Sequence, residues 1–95
     1  MLLKELLNEL EKTIDVFPLY VSENVLNLEV ADDFKGNSVL DVLDESAKIM
    51  CNVDGIKRII TFDFKKSIIT DSYKGEFCSG EIIYNWNGEL ERIIN

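Results

Sequence analysis

There is no histidine in these 95 residues. That removes the side chain most used for proton transfer near neutral pH, and the commonest metal ligand with it. Ser-His-Asp and Cys-His nucleophile systems are excluded on the same ground. Cysteine occurs twice, at Cys51 and Cys78, without C-x-x-C spacing. No histidine can join them in a zinc site and no secretion signal favours a bridge, so two buried free thiols are expected. The glycine patterns that cradle phosphates, G-x-x-x-x-G-K-[ST] and G-x-G-x-x-G, are missing; the five glycines fall at turns. No stretch approaches the roughly 20 apolar residues of a bilayer span. The opening MLLKELLNELEK is interrupted by Lys4, Glu5, Asn8 and Glu9, unlike the apolar run of a signal peptide. A soluble cytoplasmic protein is expected, without catalytic activity, cofactor or membrane contact.

What the chain does have is enough apolar material for one core. The hydrophobic fraction is 46%, ordinary for a globular protein, and two independent cores would be too small at this length. Residues 1–95 are read as a single domain. Leu3, Leu6, Leu7, Leu10 and Ile14 recur at helical spacing, so residues 2–14 read as an amphipathic helix. Pro18, the only proline, stops it. From Leu19 the period falls to two. LYVS and VLNLEV flank Glu23-Asn24 and read as paired strands with one wet face, and ADDFKGNS (31–38) reads as loop.

Residues 39–46 fit two periods. Ser38 with Asp41 imitates a capping box, and Val39, Leu40, Leu43 and Ala47 share a helical face, so a second short helix or an irregular segment is expected. Ile49, Cys51 and Val53 then alternate as a strand does. Asp54-Gly55 between two apolar runs is a hairpin turn, because a type I′ turn needs positive φ twice. Lys65-Lys66-Ser67 and Lys74-Gly75-Glu76 turn the chain again. Asn87-Gly88 closes a last hairpin whose loop of two or three residues the sequence leaves open. The expected fold is α+β: an N-terminal amphipathic helix on one face of an antiparallel meander of about six strands.

Charge is the most informative feature. Eighteen acids against 10 bases give −8, and the imbalance is one-sided. Residues 1–55 hold twelve acids and four bases, while residues 56–95 hold six of each. Asp32, Asp33, Asp41, Asp44 and Glu45 crowd one stretch with Lys35 as their only relief. Direct nucleic-acid binding is opposed by that sign, since phosphates are bound by Lys and Arg. A positively charged protein partner is favoured, because such a patch speeds and selects association. Tyr84 and Trp86, two apart on the last hairpin, are residue types that anchor interfaces; the alternative is that they pack under the helix.

In size, acidity and lack of catalytic equipment the chain is similar in general character to toxin immunity proteins and phage inhibitors of host defence nucleases. No motif places it in either group. The likeness implies a small acidic inhibitor that offers carboxylates where phosphates would sit on a nucleic-acid-processing partner. Lysine outnumbers arginine eight to two, a composition expected of an AT-rich bacterial or phage genome. The alternative is a small-ligand or calcium-binding module, using Asp32-Asp33 with Asn37 or Asp41 with Asp44 and Glu45, though neither follows EF-hand spacing. A third is a structural subunit whose exposed hairpin pairs with a copy of itself.

Overall fold

The computed structural model of the protein describes residues 1–10 and 22–95. It is an α+β arrangement with a six-stranded antiparallel sheet. The elements are α1 (Leu3–Glu9), a short helix α2 (Glu23–Leu26), a 3₁₀ turn at Asp32–Phe34, and then six strands. The strands are β1 (Ser38–Val42), β2 (Ser46–Val53), β3 (Ile56–Asp63), β4 (Ile68–Lys74), β5 (Ser79–Asn85) and β6 (Leu90–Ile94). They pair in chain order, so β1 and β6 are the edges among the described residues.

α1 begins where the Glu5 carboxylate accepts the Leu2 N–H at 3.2 Å, which satisfies one of the donors a helix start leaves open. Leu3, Leu6 and Leu7 are buried from it, as their spacing requires. The last residues of the expected 2–14 helix, and the LYVS strand, fall largely outside the described residues. The expected strand from Val25 is replaced by α2. Ser22 caps that helix by accepting the Val25 N–H at 3.3 Å, and Val25 is fully buried. Only a single bridge, Leu2 to Glu29, keeps an extended pairing there.

The second correction is at residues 39–46, where β1 and a tight Asp44-Glu45 turn stand in place of a helix. Backbone pairing of Ser38–Val42 with Ala47–Cys51 supplies the hydrogen bonds that a helix would otherwise have made. Asp54 and Gly55 have φ of 52° and 80°, the two positive values of a type I′ turn, and Val53 faces Ile56 across it. The last hairpin takes the three-residue loop. Gly88 has φ 83°, its N–H donates to the Asn85 carbonyl at 3.0 Å, and the Asn85 N–H donates to the Glu89 carbonyl at 2.9 Å.

One sheet face holds the core. Ala47, Ile49 and Cys51 of β2, Ile60 and Phe62 of β3 and Ile69 of β4 form one buried cluster with Leu3, Leu6, Leu7, Val25, Val30 and Phe34. The cluster follows the pleat, since Ala47 faces Phe62, Ile49 faces Ile60 and Phe62 faces Ile69. The opposite face is a mixed row of polar and apolar side chains such as Lys48, Met50, Lys57, Ile59, Thr61 and Thr70.

Candidate functional site

The acidic stretch falls along one edge of the sheet. β1 sends Val39 and Asp41 to the open face and leaves Val39, at 62% exposure, and Val42, at 51%, in contact with solvent. Leu43 is exposed beside the turn, where its N–H donates to the Ser46 carbonyl at 2.8 Å. That bond closes a two-residue turn on Asp44 and Glu45, both exposed. Asp41 stands opposite Lys48 in the ladder. The edge therefore reads apolar, acidic, apolar, apolar, acidic, acidic from Val39 outward, omitting Leu40.

Asp32 and Asp33 lie at the other end of β1, some five residues or about 17 Å of strand away. Asp32 is not wholly available, because its carboxylate accepts the Met1 ammonium at 3.1 Å, and Glu29 adds a second contact at 3.4 Å. These two carboxylates hold the ammonium pKa above its ordinary value, with Asp32 the larger cause. Asp33 gives its carbonyl to the Cys51 thiol at 3.0 Å. The five acids thus form a line with two ends rather than a single cluster.

Tyr84, on β5, and Trp86, in the loop that follows it, are both half-buried against the core. Trp86 meets Phe64 edge-on, with ring centroids 6.0 Å apart at 81°. Tyr84 stands near Asp71; burial first, and that carboxylate second, push its hydroxyl pKa up. The exposed apolar groups beside the acids are instead Val39, Val42 and Leu43. No sequence signal marked them as exposed, since Val39 and Leu43 fall on the helical face that residues 39–46 also fit. Of the cysteines, Cys51 is buried and Cys78 exposed, and both are free. The expectation of two buried thiols fails at Cys78 because it sits in the loop closed by the Gly75 N–H on its carbonyl at 2.7 Å. Phe77 beside it is 93% exposed.

One ion pair lies on the core face. Arg58 and Asp71 approach to 3.7 Å, too far for a hydrogen bond, and Arg58 Nε and Asp71 Oδ1 are both buried without one. The guanidinium carbon stands 5.9 Å from the Phe34 ring centre. Burial raises the Asp71 pKa, and Arg58 opposes that shift. A carboxyl whose pKa is raised on folding binds protons more tightly in the native state, so its protonation favours folding at low pH. That stabilisation is fully present below the unfolded pKa and lost as pH rises through the native one. Arg58→Leu is expected to cost about 1–3 kcal/mol at pH 8 by stranding a carboxylate, and clearly less at pH 4. Urea unfolding at the two pH values checks this; an equal loss at both would show that Arg58 acts only by packing.

Among the described residues no group of three or more acids or cysteines is arranged to hold a metal ion, and no helix is long and apolar enough to cross a membrane. Comparison of the chain with family models, with curated proteins and with solved structures gave no match.

Proposed function

We propose that this protein is a small acidic inhibitor, without catalytic activity, that docks the β1 edge on a positively charged protein and blocks it. The partner's surface would be a Lys- and Arg-lined groove of the kind that binds nucleic acid, and the encounter would take place in the cytoplasm. The observation behind the reading is the edge itself: Val39, Val42 and Leu43 exposed beside Asp41, Asp44 and Glu45. An edge strand offers unpaired backbone groups, its apolar side chains add contact area, and its carboxylates steer and select a basic surface. In this arrangement Leu3, Leu6 and Leu7 of α1 join the buried cluster, while Val39 and Val42 of β1 stay exposed. Asp32 and Asp33 extend the negative line at its far end. Tyr84 and Trp86, half-buried at the other end of the strand order, keep part of their surface open to a partner that reaches across the sheet.

Asp41→Asn/Asp44→Asn/Glu45→Gln is expected to slow association with a captured partner several-fold and to flatten its salt dependence. Asp32→Asn/Asp33→Asn, at the end already relieved by the Met1 ammonium, is expected to do less. Surface plasmon resonance at two salt concentrations measures both. Unchanged association rates for the triple variant would remove charge as the basis of recognition.

A small-ligand module is the second reading, favoured by a cavity of about 340 Å³ on the open face. Lys57, Lys74 and Ser79 line it together with Glu81. Inorganic phosphate that raises the melting temperature of the wild type, but not of Lys57→Gln/Lys74→Gln, would favour this reading over the inhibitor.

A further inference from the structure

The other sheet edge has a sequence that matches itself. Every residue of β6, Leu90 to Ile94, is exposed, with Leu90 and Ile93 each at 57%. A bulge sets their directions. Ile83 faces Arg92 while Tyr84 faces Leu90, so Glu91 is the extra residue. Leu90 opposite Tyr84, and Ile93 opposite Ile82, therefore both point to the core face although they are three positions apart. Glu91 and Arg92 lie between them and carry opposite charge. Neither makes an ion pair within 4.0 Å among the described residues.

We infer that β6 pairs antiparallel with β6 of a second copy about a two-fold axis that passes between Glu91 and Arg92. In that register Leu90 meets the second copy's Ile93 and Ile93 meets its Leu90, on the side of the core. Glu91 and Arg92 of each copy meet their opposites on the other, an isologous contact in which each group finds the complement it lacks. Centring the axis on either charged residue would instead set like charges face to face, so charge selects this register over its neighbours. Without the bulge, Leu90 and Ile93 would point to opposite faces and could not meet across such an axis. A shallow groove of about 400 Å³ lined by Ile68, Ile83, Glu91 and Arg92 leaves room beside the pairing charges.

Charges and bulges also serve to blunt sheet edges against association, and a protein that uses β6 that way stays monomeric. The two roles separate experimentally. A five-residue edge is small for an interface, so the dimer is weak and calls for sedimentation velocity from about 10 µM to about 1 mM. The wild type is expected to shift from monomer to dimer over that range. Glu91→Arg alone, and Arg92→Glu alone, place like charges opposite each other twice per dimer and should weaken association about tenfold. Glu91→Arg/Arg92→Glu restores opposite pairs and should recover it. Circular dichroism and melting curves establish that each variant is folded.

A wild type that is monomeric throughout overturns the inference, as do single variants that dimerise as well as the wild type. A folded double variant that fails to recover association overturns it too. Species larger than a dimer would point to β1 of one copy pairing with β6 of the next, which this two-fold contact excludes. The contact uses the edge opposite β1, so its failure leaves the inhibitor reading standing, and its success does not establish that reading.

Discussion

Phe62→Ala is expected to remove about 3–5 kcal/mol of stability. Phe62 is fully buried on the central strand β3, between Ala47 on β2 and Ile69 on β4, both also buried. Truncation leaves a cavity in the row where the two halves of the sheet meet. Ala47 is too small to fill it, and Ile69 is fixed in a ladder. A domain of this size has about 5–15 kcal/mol in all, so the variant should lose about 12–40 °C in melting temperature. Differential scanning calorimetry measures the loss. A drop below about 1 kcal/mol would mean that the surrounding side chains collapse freely into the space, and that Phe62 is not a keystone of the core.

Gly88→Ala is the second large effect. A Cβ there would lie 2.9 Å from the Asn24 carbonyl carbon and 3.0 Å from its oxygen, while φ is +83°. The substitution meets two penalties, backbone strain and a clash with the backbone of α2, and either the last hairpin or the short helix must move. The expected loss is about 2–5 kcal/mol. Gly55→Ala provides the comparison, because Gly55 has φ +80° and nothing within 4 Å of its Cβ direction. That variant should cost only the strain, about 1–2 kcal/mol. The difference between the two isolates the contact of the hairpin with α2. Equal losses would show that this contact contributes nothing.

The same hairpin shows where sequence reading stops. Asn87-Gly88 announced a turn because few residues accept positive φ, but loop length depended on whether Asn85 could bond across the turn. Its side chain accepts the Asn87 and Glu89 N–H groups at 2.9 and 3.0 Å, and the three-residue loop follows. Asp54-Gly55 was legible outright because both requirements of its turn are local. So was the alternation of Ala47, Ile49 and Cys51, whose burial repeats every second residue.

The segments misread were those whose own pattern satisfies two structures. Val39, Leu40 and Leu43 can form a helical stripe, and Asp41 sits three after Ser38 as a cap partner would. What decided for a strand was β2, which pairs with all five residues of β1. Residues 25–30 went the other way. Alternating Leu26, Leu28 and Val30 suggested a strand, but Ser22 capped a helical turn and Val25 was drawn into the core.

For the candidate sites the division is similar. That the first 55 residues hold a surplus of eight negative charges is a count, and no fold can alter it. That Asp41, Asp44 and Glu45 share an edge with exposed Val39, Val42 and Leu43 depends on β1 being a strand at the margin of the sheet. That Tyr84 and Trp86 pack against the core depends on which face of the sheet the buried cluster occupies.

Sequence alone determined the Asp54-Gly55 turn, the alternation within β2 and the sum of charge, because each is set by one residue or its near neighbours. Tertiary structure decided which strands became edges, which face received the aromatics and how Glu91 shifted Ile93 onto the side of Leu90. Those outcomes come from pairing between segments far apart in the chain, whose hydrogen bonds and buried area outweigh a local preference of a few tenths of a kcal/mol per residue.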